Sequence, residues 1–282
     1  MLLLGRKFLL FSAALWLSLA NVYSQSVDDY LDKAFSQLEQ KQVREAMQTL
    51  TEGIKALPDE PELYYYRGIL FDKVRLPDQS IEDFTKAIEN CKTDTTCSDY
   101  YASRGGVKFS IRQFEEAYQD LKKALELDEN NIAALNNMAV VSDEVGRGDE
   151  TVGYLERIIA LDPEKPFTYV NLGYKYQQME QHKKAIEYLD KAIELAPTAS
   201  FAYSNRSFCR LKLGNVKGAL KDINKSLELM PTNVYAYKVR ALVYLEKGKA
   251  EEACADLDTA LEMGYTRQYG NEVQELKAKH CQ

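Results

Sequence analysis

Four arginines of this chain each have an aspartate sixteen residues further on: Arg67 with Asp83, Arg104 with Asp120, Arg206 with Asp222 and Arg240 with Asp256. Where the first place is apolar, Met138 or Leu172, the residue sixteen on is a tyrosine, Tyr154 or Tyr188. The two places therefore change together, as expected of structural ion pairs in which a planar guanidinium grips a carboxylate through two hydrogen bonds. Three asparagines, Asn137, Asn171 and Asn205, recur at a fixed interval. An amide donates and accepts, so a ladder of them can hold the backbone of an extended peptide. Cys91 and Cys97 flank a short polar stretch, 92–96, and are candidates for a disulfide bridge. Other chemistry lacks its residues. His182 and His280 are isolated, so no metal site is expected, because a metal needs close-set ligands. Gly105-Gly106 lacks the lysine of a phosphate loop. No Ser/His/Asp arrangement recurs, and no catalytic residue or cofactor is expected.

The interval between the asparagines is also the interval of the whole chain. Units begin at Val27, Pro61, Ser98, Ile132, Pro166, Ser200 and Val234, spaced by 34 residues except at the second step, which is longer by three. Small residues recur eight positions into each unit (Ala34, Gly68, Gly105, Ala139, Gly173, Ser207, Ala241) and again at position twenty (Ala46, Ser80, Ala117, Thr151, Ala185, Ala219, Ala253). Large apolar residues between them, such as Leu172, Tyr176, Leu189 and Ile193, keep helical spacing. Gly146, Gly214 and Gly248 stand where a first helix would end in a left-handed residue. Pro58, Pro163, Pro197 and Pro231 stop the second helix, and Asn131, Thr198 and Thr232 are placed to start the next. Each unit thus reads as two helices crossing at two small residues.

This pattern resembles the tetratricopeptide repeat, whose period is the same. The fifth unit carries the resemblance best, in Tyr169, Leu172-Gly173, Tyr176, Ala185, Leu189, Ala192 and Pro197. The first unit departs from it at Lys33 and the fourth at Thr151 and Ile158. The resemblance implies an all-α fold, a right-handed superhelical solenoid of about seven helix-turn-helix repeats over 27–265. The units would be 27–60, 61–97, 98–131, 132–165, 166–199, 200–233 and 234–265. Residues 266–282 would add one C-terminal capping helix, which a solenoid needs over its last apolar face. Neighbouring helices of such a stack run antiparallel, which makes Cys254 and Cys281 candidates for a second bridge and leaves Cys209 as a buried apolar side chain.

The resemblance also says which side chains line the concave face. They include Tyr65, Ile69 and Lys73, then Phe109, then Asn136, Val140 and Asp143, then Val170, Tyr174 and Gln177. Phe201, Ser204 and Phe208 follow, then Tyr235, Lys238 and Leu242. Aromatic rings in that number can anchor a protein or extended peptide at low entropic cost. Lys238 has Leu242 one turn on, so the family's clamp for a terminal carboxylate is not reproduced and a chaperone-tail receptor is disfavoured.

The first 24 residues read differently. Arg6 and Lys7 precede an apolar run, 8–20, that is too short to span a bilayer and is followed by small residues. This is expected to be a cleaved signal peptide, removed before Gln25, which places the chain in the periplasm or outside the cell. The net charge of −7 then becomes two charges more acidic, and with no basic stripe a nucleic-acid partner is not expected. No membrane span is expected after removal of the signal. The function implied is a non-catalytic protein- or peptide-binding adaptor or scaffold of the cell envelope. The alternative is a structural subunit docking through its outer face or its ends.

Overall fold

The computed structural model describes residues 25–281, and the expected signal segment lies outside them. Every regular element among the described residues is an α-helix. The chain divides into two compact units, one ending at Ile111 and the other beginning at Arg112.

The first unit holds α1 (Val27–Glu39), α2 (Val43–Ala56), α3 (Pro61–Lys73), α4 (Pro77–Glu89) and α5 (Asp94–Ser110). α1 starts at a capping box, in which the Asp29 amide donates to Ser26 Oγ at 3.2 Å and the Ser26 amide donates to Asp29 Oδ2 at 2.8 Å. Proline opens α3 and α4, where its missing amide costs nothing. Consecutive helices pack against one another around Ala34, Ala46, Leu50, Leu63 and Leu70. Gly68 explains the small-residue rule: a Cβ there would lie 2.9 Å from the Phe84 ring. At the partner position, Ser80 donates its hydroxyl to the Gly68 carbonyl at 2.8 Å, so a polar side chain is buried with its hydrogen bond made.

The second unit begins with α6 (Phe114–Leu127), α7 (Ile132–Glu144), α8 (Thr151–Leu161), α9 (Pro166–Gln178) and α10 (His182–Leu195). It continues with α11 (Ser200–Lys212), α12 (Val216–Leu229), α13 (Val234–Glu246), α14 (Ala250–Glu262), α15 (Tyr265–Tyr269) and α16 (Glu272–His280). The same crossing recurs: a Cβ on Gly173 would meet Leu189 Cγ at 2.6 Å, and Ser207 donates to the Ala219 carbonyl at 2.8 Å. Leu135, Leu155, Ile158, Leu172, Leu189 and Ala202 form one continuous core, so the unusual Ile158 of the fourth repeat fills it rather than breaking it.

Three local expectations change. Asn131 caps α7 by accepting from the Ala134 amide at 2.9 Å, but α13 is capped by Asn233 instead of Thr232, and α11 has no side-chain cap from Thr198. The chain after Gly264 forms two short helices instead of one, because Gly270, at φ 84°, turns it between α15 and α16. No described helix is long and apolar enough to cross a membrane.

Candidate binding face

The ion pairs come first, because they position the helices that carry the face. Arg67 Nε and Nη2 each donate to Asp83 at 2.7 Å, Arg206 does the same to Asp222 at 2.8 Å, and Arg240 to Asp256 at 2.7 Å. Each links the two helices of one repeat. In Arg67 and Arg206 the third guanidinium nitrogen does something the sequence reading did not identify: it reaches back to the preceding repeat. Arg67 Nη1 donates to Thr51 at 3.1 Å and Arg206 Nη1 to Asp190 at 2.5 Å. Both acceptors lie sixteen residues before their arginine, so the signal was present on the other side of the same interval. Arg104 donates to Thr85 within the first unit at 3.0 Å, and Asp120 is buried on α6. Arg210 adds a second cation to Asp222 at 2.7 Å.

The cysteines form two bridges, Cys91–Cys97 with Cα atoms 5.5 Å apart and Cys254–Cys281 with Cα atoms 5.7 Å apart. The second fastens α16 to α14. Cys209 is buried and free, and burial pushes its thiol up to about 12. Among the described residues no group of three or more His, Cys, Asp or Glu side chains is placed to hold a metal.

In the second unit the first helices of the fifth, sixth and seventh repeats, α9, α11 and α13, lie side by side. On the first helices of three successive repeats, large apolar side chains stay in solvent: Val140 on α7 is 49% exposed, Tyr174 on α9 42% and Phe201 on α11 45%. Phe167, at the position equivalent to Phe201 one repeat earlier, is 67% exposed and was not identified from the sequence. Asn136 is also exposed, its Nδ2 donating to the Ile132 carbonyl at 2.8 Å.

Other expected site residues are less available. Asn137 and Asn171 are half-buried and Asn205 is buried, so the three amides do not present one even ladder. First helices that pack side by side cover the flank on which this position lies. Tyr65 is half-buried among Tyr66, Phe84 and Tyr100, with ring centroids 4.8 to 5.8 Å away, and burial raises its phenol. Phe109 is half-buried on α5. Tyr235 is half-buried and its hydroxyl accepts from Gln177 Nε2 at 3.0 Å.

Lys238 is the clear correction. Expected on the open face, it is 4% exposed, with Phe208 and Tyr235 rings beside its ammonium and Glu272 of α16 bonded to it at 2.8 Å. The C-terminal segment folds over it, which no repeat periodicity could have shown.

With this geometry in place, comparison with known proteins identifies the repeats. The tetratricopeptide-repeat family pattern matches residues 98–131 and 166–199. The chain contains tetratricopeptide repeats. A tetratricopeptide repeat protein from Parabacteroides merdae superimposes with a TM-score of 0.66 at 15% identity, over 89% of this chain and 98% of that one. YrrB, described as a TPR protein with an unusual peptide-binding site, does so with a TM-score of 0.57 at 19% identity, over 66% and 95%. Both likenesses show the fold. Among curated proteins, Hsp70-Hsp90 organizing protein 2 of Arabidopsis thaliana is 27% identical over 127 residues, which are 44% of this chain. The chain spans about a fifth of the length of that relative, 22%.

Proposed function

We propose that this chain is a non-catalytic adaptor of the cell envelope that binds a protein or an extended peptide on the first-helix face of its repeats. The observation that carries this reading is a pair of exposed rows, Val140 and Tyr174 at the ninth position of their repeats and Phe167 and Phe201 at the second. Large apolar side chains repeated in register on successive helices and left in solvent are the usual mark of an interaction surface. A partner laid along them gains contact area from rings that have little rotamer freedom to lose. Despite the similarity to an Hsp70-Hsp90 organizing protein, a chaperone-tail receptor is disfavoured, because Leu242 stands one turn after Lys238 and the family's clamp for a terminal carboxylate is not reproduced. The envelope location draws on the basic-then-apolar start of the sequence and on the two bridges, which persist in oxidising compartments.

The test is a crosslinked affinity purification from the native source, comparing the unaltered chain with Tyr174→Ala/Phe201→Ala and with Asn137→Ala/Asn171→Ala. Loss of the captured partner with the aromatic pair is the expected result. Capture that survives it would move binding to the outer face or the ends, which is the scaffold-subunit reading. The same preparation reads the mature N-terminus, expected at Gln25; an intact start at Met1 would overturn the signal-peptide assignment.

A further inference from the structure

The residues that follow the last repeat do more than cover an apolar end. Tyr265 is 1% exposed and Val273 is fully buried, and both belong to the core of the seventh repeat with Val234, Ala241, Ala253, Leu257 and Ala260. Between them, no residue of 266–272 is buried. This strap is bracketed by left-handed glycines, Gly264 at φ 86° and Gly270 at φ 84°, and anchored beyond α16 by the Cys254–Cys281 bridge. It is pinned at both ends and contributes nothing to the core in the middle.

What the middle does is contact the seventh repeat's first helix. Glu272 places one carboxylate oxygen 2.8 Å from Lys238 Nζ and accepts from the Tyr265 hydroxyl on the other at 3.2 Å. Tyr269 sets its ring 6.0 Å from that of Tyr235 and 4.9 Å from that of Tyr265, while remaining 47% exposed. The asymmetry of the ion pair matters: the Lys238 side chain is 5% exposed and that of Glu272 is 52% exposed. A buried ammonium left without an anion is strongly unfavourable, whereas the half-exposed carboxylate can return to water. Lys238 therefore needs a carboxylate, and its present one is the partner free to leave.

We propose that the strap Thr266–Glu272 is a built-in occupant of the first-helix face, displaced by a partner peptide that brings a carboxylate near an aromatic ring. This rests on the reading that the face binds extended chains. The incoming carboxylate takes the place of Glu272 on Lys238, and the incoming ring takes the place of Tyr269 against Tyr235, continuing the row of Phe167 and Phe201. A tethered segment competes at an effective concentration in the millimolar range, so a peptide matching only one of the two contacts is excluded.

The probe is a fluorescein-labelled synthetic nonapeptide with the sequence of residues 266–274, titrated by anisotropy against the full chain. Tyr269→Ala/Glu272→Gln removes the strap's two holds and is expected to bind the probe at least about tenfold more tightly than the unaltered chain. Adding Lys238→Gln is expected to abolish that gain. Equal behaviour of the unaltered chain and the double variant, including no binding to either, overturns the proposal, as does a gain that survives Lys238→Gln. Hydrogen exchange on the unaltered chain needs no variant to fold: amides of 266–272 should exchange at least about tenfold faster than those of α13 and α14, and equal protection would make the segment a fixed part of the core. Partner capture that stays sensitive to Tyr174 and Phe201 while the probe titration shows no difference would fail this inference alone. Capture that loses that sensitivity would fail the underlying reading.

Discussion

Asp222 is 2% exposed and receives three hydrogen bonds, two from Arg206 and one from Arg210. At this scale the chemistry of the chain is structural: a carboxylate removed from water holds two helices of one repeat, and Arg206 extends the hold to Asp190 in the repeat before. The net worth of such a pair is small, because desolvation offsets attraction, but breaking it strands the partner charges. Asp222→Ala is expected to cost about 3 kcal/mol, near the lower end for buried pairs, since Arg206 keeps Asp190 and Arg210 is partly exposed. Urea unfolding of the variant measures it. A loss under about 1 kcal/mol would show that the cluster is screened like a surface pair.

Each repeat turns between its two helices at its fifteenth residue, and all seven turns use a left-handed backbone. Gly146, Gly214 and Gly248 supply it with φ of 74°, 76° and 69°, but Lys41, Arg75, Arg112 and Glu180 adopt it with φ of 62°, 62°, 66° and 57°. The glycine signal in the sequence covers three turns of the seven, because the hydrogen bonds of the turn impose the conformation even on residues that resist it. Glu180 donates its amide to the Gln177 carbonyl at 3.0 Å, a bond glycine would keep. A side-chain-bearing residue pays roughly 1–2 kcal/mol in this region, partly offset by the extra freedom of glycine in the unfolded chain. Glu180→Gly is therefore expected to raise stability by about 0.5–1 kcal/mol, read as a higher urea midpoint. An unchanged or lower midpoint would mean that the Glu180 side chain contributes more than its backbone costs.

At the scale of the molecule, repeats make their contacts with sequence neighbours, so a perturbation is felt locally. The Cys254–Cys281 bridge closes a loop with a sequence separation of 27. Chain entropy assigns such a closure about 3.5 kcal/mol. In Cys254→Ser/Cys281→Ser, hydrogen exchange should speed up across α13 to α16 and stay unchanged across α6 to α8. Uniform acceleration over all these helices would mean that the second unit opens as a single cooperative block, against the additive behaviour expected of a repeat array.

The periodic part of this protein was legible from residues alone. Helix pairs, their crossing at small residues, the intra-repeat partners of Arg67, Arg206 and Arg240, and the Cys91–Cys97 pair all follow from local spacing, because each depends on residues close in sequence or fixed relative to one another by helix geometry. Exposure at the candidate site was not legible. The repeat pattern assigns Lys238 to the same kind of position as Val170 or Ser204, and cannot tell that Glu272 comes back to cover it. Nor can it tell that Asn205 is buried where Asn137 is only half so. Those outcomes depend on how first helices press together and on where a non-repeating tail comes to rest, and both are settled by packing in three dimensions. Sequence determined the repeating element; only the tertiary structure decided which part of its face remains open.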